Sequence, residues 1–565
     1  MIVAAESTES LTTPMLGGSC QPLSQQAYIR GKKRRKFPGF CILVSVVLER
    51  LAYYSLLGNL VVYLTTVLNW NSASTLATTL LFTGFTWISC FIGGMSGDVV
   101  YGRMNTICLG LVLYFIGYLC LPFITFVVKP GSDGSSPFIV LWLFAALILI
   151  SIGEGCFKSN MSPFGADQVD NENKNKFFNF YYWAINIGSF LGFGPVVYLQ
   201  EKKNFIYGHA LPAGCLLLAL TFFMLPRSVG YISNPPAPNI IKKIFQIIRE
   251  ARRNRKKTPA QSPSEYTGSG CYEDYVPIKH WLDRAKAKYG GSYLEADVDE
   301  VKVFLRMLPI FGFLVIYCIL YYQTNSTFIV QGMHLDVSIV KNFPVPVAWL
   351  AITNIIFVLV FLPIISKGLF PCLKKFNLEP SYFTKIMIGM FIASLAMLSA
   401  AILDKERCSE STMVFNKISR YNVTGRKVTI FAQVAQFGLM GISEIFVMIT
   451  GLEFAYCQAP KRLQALVTGL FFIANGIGSL LGSLLFELYA VGMPGHLDVD
   501  MSEQQKIGDL KGRLDYFFYG LAALNFVNLL CFARYTKKLD IKEKKSSQSV
   551  NEFLRSNLLR TPQKT

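Results

Sequence analysis

The stretch "SVVLERLAYYSLLGNLVVYL", Ser45 to Leu64, lies inside a longer apolar run and carries Glu49 and Arg50 side by side near its start. A helical run of this kind rises far enough to cross the hydrocarbon of a bilayer, about 30 Å thick. Two formal charges within it are expensive, so each demands a partner. Adjacent helical residues point about 100° apart. The spacing therefore predicts that Glu49 and Arg50 do not neutralise each other face to face and that each finds its partner elsewhere.

Outward from this stretch the pattern repeats. The chain has 565 residues, 52% hydrophobic and only 16% charged, with 45 Phe. Its mean hydropathy is +0.39, a membrane composition. Twelve apolar blocks follow one another, at 38–68, 76–97, 104–128, 138–160, 177–200, 206–226, 303–331, 345–366, 382–403, 428–452, 464–489 and 515–534. The predicted class is an all-α membrane protein of 12 transmembrane helices in two six-helix lobes, embedded in a lipid bilayer.

The formal net charge of +19 does not point to nucleic acid, because the basic residues sit in the connections and no basic groove with interleaved aromatics appears. "GKKRRK" at 31–36, Lys367, Lys374, Lys375, Lys461, Arg462 and "KKLDIKEKK" at 537–545 all fall on the side of the termini, while the loop at 69–75 has no Lys or Arg. Positive-inside asymmetry then places both termini in the cytoplasm. Asn422-Val423-Thr424, in the predicted outer loop between spans nine and ten, is a glycosylation acceptor on the same orientation. Residues 1–37 contain no apolar core of a cleavable signal, so the first span is expected to direct insertion.

Thirteen Cys form no CxxC pair, and only Cys408 falls in the long outer loop, which argues against a disulfide framework or metal site. The chain divides into a tail 1–37, a lobe 38–226, a cytoplasmic linker 227–300, a lobe 301–535 and a tail 536–565. The linker carries "REARRNRKKTPAQSPSEYTGSG" and then "KHWLDRAKAKY", read as helical. A six-and-six division is what alternating access requires, one lobe rocking against the other around a midplane site. HExxH, the phosphate loop and a nucleophile elbow in a strand context are missing, and "GEGCFK" falls in an apolar helix, so an enzyme is not expected. No cofactor is expected beyond protons as coupling ion.

After the second span, "GGMSGDVVYGRMNT" spaces Gly94, Asp98, Gly102 and Arg103 so that glycines allow close helix approach while Asp98 and Arg103 latch helix ends. The loop resembles the signature loop of the major facilitator superfamily. Deeper in the spans, Glu154 and Lys158 share a face one turn apart, and span ten holds Glu444. Each such charge costs about 2.5–3.5 kcal/mol at mid-bilayer. Arg50 and Lys158 in the first lobe and Glu444 in the second predict a positive wall facing a negative one, a field suited to a zwitterion. Arg50 with Tyr54, and Glu49 with Tyr53, share faces at four-residue spacing.

Several stretches together resemble the proton-coupled oligopeptide transporters of solute carrier family 15. They are "ERLAYY", "FGADQVD" at 164–170, "FFNFYYWAINIGSFLG" at 177–192, "HWLDRAK", "DEVKVFLRMLPIF" and "GISEIFVMITGLEFAYCQAP" at 441–460, in the family's order from about 40 to 535. The resemblance is greatest to the peptide and histidine transporter branch. It implies a major-facilitator fold that carries small peptides (di- and tripeptides) with protons. Glu49 and Arg50 match the end of the family's ExxER motif, Lys158 its fourth-helix lysine, Asn186 the asparagine of "INxGS", Tyr54 a site tyrosine and Glu444 the tenth-helix acid. The resemblance assigns Asn186 and the basic groups to the peptide's carboxylate end, Glu444 to its amino end, and Lys158 with Glu444 to an inner gate.

Proton loading falls to Glu49 or Glu444, with Glu154 a rival partner for Lys158. Departures from the family are Val46, Leu57, Tyr322, Phe471, Leu80 and Ser159, where the family has charged or other site residues. They keep two alternatives open: a transporter of histidine or another small organic solute, and a non-transporting sensor or scaffold of the same fold. The transport unit is expected to be monomeric, in the plasma membrane or an endosomal or lysosomal membrane.

Overall fold

A computed structural model describes residues 25–558 apart from 129–135, 170–173, 230, 232–239, 258–279, 338–344, 377, 379, 419–420, 461–463, 493–505 and 508–512. Lys461 and Arg462 thus lie outside the described residues, as do the side chains of 31–36, of Lys367 and of 538–545. Among the described residues, 12 helices are long and apolar enough to cross a membrane, the first Phe37–Thr66 and the last Asp515–Lys537. Helices satisfy their own backbone in hydrocarbon, which is why the apolar blocks fold this way. Span four, Pro137–Asp167, and span seven, Glu295–Met333, are longer than their apolar blocks. Their more polar ends continue the same helices.

The spans pack as two six-helix lobes. In the first, span three lies on span four, span one on spans five and six, and span two on span four. In the second, span nine packs on spans ten and twelve, span eight on ten, and span seven on eleven. Spans two and eleven form the main junction between lobes, where Ser479 Oγ donates to Leu80 O at 2.8 Å and Ser483 Oγ to Ala77 O at 3.4 Å. A second junction joins spans five and eight, with Trp349 Nε1 donating to Gly194 O at 3.2 Å.

Six spans precede the linker and six follow it, so the described ends near residues 37, 227, 295 and 537 share one side. The connection between spans nine and ten reaches the other side. It is not a plain loop: β1, Met413–Ile418, pairs antiparallel with β2, Tyr421–Arg426, and β3, Lys506–Ile507, runs parallel to β2. Asn422 stands on β2 opposite Lys417, and its side chain is outside the described residues. Cys408 belongs to span nine, Tyr382–Ser409, rather than to the loop. The hairpin is tied to the end of span seven where His334 Nδ1 meets Thr424 O at 2.9 Å and Asn416 Nδ2 donates to Met333 O at 3.1 Å.

The linker also differs from its reading. "KHWLDRAKAKY" forms two short 3-10 turns, Trp281–Ala285 and Ala287–Tyr289, and the longer helix is Ile240–Lys257. The short stretch is held by side chains instead, Asp283 accepting from the His280 backbone N–H and from Lys302.

Candidate functional site

Span one carries Glu49, Arg50, Tyr53 and Tyr54, and span five passes close behind them. A Cβ on Gly188 would stand 2.6 Å from Arg50 Cβ, so only glycine lets the two helices approach here. Span four is drawn equally close to span two, since a Cβ on Gly93 would lie 2.7 Å from Cys156 Cα. These approaches bring Glu49, Arg50, Glu154 and Lys158 together.

Arg50 donates from Nε to Glu49 Oε2 at 2.6 Å and from Nη2 to Glu49 Oε1 at 2.8 Å, and Nη2 also reaches Glu154 Oε1 at 2.8 Å. Neighbouring residues therefore do pair, contrary to the reading from helical spacing. The Arg stem is long enough to curl back, so the guanidinium meets its neighbour although the two Cβ vectors diverge. Lys158 Nζ lies 3.6 Å from the same Glu154 Oε1 and 3.6 Å from the centre of the Trp87 ring. Glu49, Arg50 and Glu154 are buried, while the Lys158 side chain is 23% exposed.

The first lobe thus does not present a positive wall. Two acids and two cations form a balanced quartet, and Lys158 is its partly open corner. The Tyr53 ring faces the cations, 5.2 Å from Arg50 Cζ and 5.7 Å from Lys158 Nζ. Tyr54 is partly buried against Tyr53 and Phe193, each at 5.3 Å between ring centres.

Glu444 is the last residue before a π-helical turn, Ile445–Ile449, in span ten. It accepts from Asn354 Nδ2 at 3.0 Å, and Tyr321 lies beside it. No ion pair joins Lys158 to Glu444 among the described residues, and in this conformation Lys158 is held by Glu154 and Trp87. Asn186 is partly exposed and donates to its own helix at Tyr182 O, 2.8 Å.

Four residues of this region escaped the sequence reading. Trp87 gives Lys158 its aromatic face and packs on Phe472 and Tyr322 of the other lobe, at 5.6 and 6.4 Å. Asn354 orients Glu444, with Tyr321 beside it. Asp167 joins the loop pair, with Arg103 Nε 2.9 Å from Asp98 Oδ1 and Nη1 3.1 Å from Asp167 Oδ2. A polar Asn within the apolar span eight and an acid within "FGADQVD" were the available signals; for Trp87 there was none beyond its rarity.

Four of the departures from the family are filled by packing. Val46, Leu57, Leu80 and Phe471 are buried among apolar neighbours. Tyr322 donates its hydroxyl to Asn475 Oδ1 at 2.9 Å, joining spans seven and eleven with a neutral bond.

The model of the POT family (PTR2) matches residues 104–497. The chain belongs to the POT family. Among POT relatives, solute carrier family 15 member 3 of Rattus norvegicus is 29% identical over 567 residues, covering 92% of this chain and 94% of its own. The crystal structure of an auto-inhibited POT family peptide transporter superposes with a TM-score of 0.68 at 19% identity, covering 89% of this chain and 97% of that one. A POT family transporter in complex with 5-aminolevulinic acid gives a TM-score of 0.64 at 16% identity, covering 88% and 96%. The fold is the one these POT transporters share.

Proposed function

We propose that this POT-family chain is a proton-coupled symporter of small peptides working by alternating access. The balanced quartet of Glu49, Arg50, Glu154 and Lys158 carries the reading. A substrate carboxylate arriving at the open corner, Lys158, adds a negative charge to a buried group that already has two acids for two cations. Uncompensated charge in such a place costs several kcal/mol, and a proton on Glu49 or Glu154 removes it. Carboxylate and proton then bind better together than apart, which is the linkage a symporter requires.

Glu444, oriented by Asn354, receives the substrate's amino end, and it shares the proton-coupling role with Glu49 and Lys158. Tyr54 and Asn186 line the peptide between these poles. The Asp98, Arg103 and Asp167 group latches the side of the termini, and Lys158 passes from Glu154 to Glu444 when that side closes. Both termini and the linker 227–300 are cytoplasmic, joining lobes 38–226 and 301–535, and Asn422 faces the exterior or lumen. The contacts of Trp349 with Gly194 and of Ser483 with Ala77 join the lobes on that far side.

One charge moved down 100 mV supplies about 2.3 kcal/mol, enough for roughly 40-fold accumulation. The test is uptake of a labelled dipeptide and of histidine at two external pH values, with the protein confirmed at the tested membrane. Acid-stimulated dipeptide uptake, abolished by Lys158→Ala, is expected. Histidine flux alone changes the cargo, and surface protein with no proton-coupled flux replaces the transporter with a scaffold.

A further inference from the structure

The linker helix Ile240–Lys257 has two faces that the transport reading does not use. Ile244, Ile247 and Ala251 are buried against Leu282, Ala285, Val298 and Val301, which fixes the helix to the foot of the second lobe. Lys242, Arg249, Arg252 and Arg253 are exposed, and Phe245, among them, is 68% exposed. At about 100° per residue these five fall within one arc of roughly 100°, opposite the buried stripe.

The single acid of the helix, Glu250, accepts from Ser292 N at 2.6 Å and lies off this arc. Nothing in the helix therefore neutralises the strip. Lys243 Nζ pairs with Asp297 Oδ1 at 2.8 Å, in the first turn of span seven. Leu294, immediately before that span, is 72% exposed. The strip is thereby placed beside the end of a membrane span.

A merely solvated face has no use for a phenyl ring at its centre. Cations around an exposed aromatic are the composition of a membrane-surface anchor, in which the ring enters the interface and the cations meet acidic headgroups. We propose that Lys242, Phe245, Arg249, Arg252 and Arg253 dock onto anionic phospholipid headgroups of the leaflet beside the linker, fastening the second lobe's foot to the bilayer surface. The assignment of that leaflet as cytoplasmic rests on the orientation proposed above; the docking itself does not depend on transport.

Hydrogen exchange of the 240–257 amides, in the full-length chain in nanodiscs, tests this. In phosphatidylcholine containing about 30% phosphatidylserine, exchange should be at least about threefold slower than in phosphatidylcholine alone, and the difference should vanish in about 1 M salt. The variant with Lys242→Glu, Arg249→Glu, Arg252→Glu and Arg253→Glu should lose it while exchange in the spans stays unchanged. Phe245→Ser should weaken the protection even if the charge-reversed chain does not fold. Equal exchange of the native chain in both lipids overturns the proposal, as does protection that survives charge reversal. Slowing by soluble polyglutamate with none by phosphatidylserine reassigns the strip to an acidic protein partner.

Discussion

Arg50 and Lys158 converge on one oxygen: Arg50 Nη2 lies 2.8 Å from Glu154 Oε1 and Lys158 Nζ lies 3.6 Å from the same atom. Glu154 is fully buried, and it joins the Arg50–Glu49 pair to Lys158.

Glu154→Gln leaves Arg50 with Glu49 alone and Lys158 with only an aromatic face. Breaking a buried ionic group by removing one member costs about 3 kcal/mol or more. Thermal unfolding should drop accordingly, and the pH profile of uptake should flatten because one protonatable acid is gone. An unchanged melt and an unchanged profile would remove Glu154 from the coupling.

Trp87 offers Lys158 a ring face, a contact worth about 2 kcal/mol when desolvated. Trp87→Leu should reduce uptake roughly tenfold or more, whereas Trp87→Phe, which keeps a weaker face, should retain a substantial part. Initial uptake rates across substrate concentration separate this from simple misfolding. Equal losses in both variants would mean that only bulk matters.

Tyr322→Phe deletes a neutral hydrogen bond to Asn475 and leaves a buried acceptor poorly satisfied, costing about 1 kcal/mol. No charge is involved, so the loss of thermal stability should be the same at mildly acidic and mildly alkaline pH. A loss that grows with pH would show that an ionisable group controls this junction.

Arg103→Gln removes two partly exposed ion pairs, to Asp98 and Asp167, each worth about 1 kcal/mol or less. Stability should hardly change, while the maximal uptake rate falls with little change in apparent substrate affinity. Gly102, at φ +78°, sets the turn that presents Arg103. Gly102→Ala should therefore cost about 1 kcal/mol through backbone strain.

The linker has its own pH dependence. Burial raises the Asp283 carboxyl, but the hydrogen bonds and charges of Lys302 and Lys286 outweigh it and hold the group below the usual aspartate range. A depressed carboxyl contributes stability above its unfolded value of about 4 and loses it as pH falls through the folded value. Burial lowers Lys286, but Asp299 and Asp283 outweigh it and raise the group, so that contribution persists until strongly alkaline pH. Hydrogen-exchange protection of 281–293 should be flat across neutral pH and collapse only in acid. Collapse near neutrality would point to a different titrating group.

Hydropathy made the spans legible because bilayer thickness fixes helix length. The chemistry inside them was half legible. Glu154 and Lys158 are paired by helical spacing alone, and their contact follows from sequence. The Arg50–Glu49 pair runs against helical spacing, because spacing describes where Cβ points and not where a long, flexible side chain ends. The hairpin at 413–426 was hidden in a polar loop whose alternation is too short to stand out from turns. The linker helix does not stand out in the sequence because its apolar stripe is narrow among many Lys and Arg.

Sequence by itself determined that this chain has twelve helices long and apolar enough to span a membrane, which residues are ionisable within them, and the family pattern they follow. Each of those depends on composition and on neighbours along the chain. Only tertiary structure decided that the first lobe's charges cancel in a quartet, that Trp87 stands over Lys158, and that Asn354 and Tyr321 turn toward Glu444. Those relations join residues dozens to more than a hundred positions apart, and they exist only where glycines let helix backbones close to within side-chain reach.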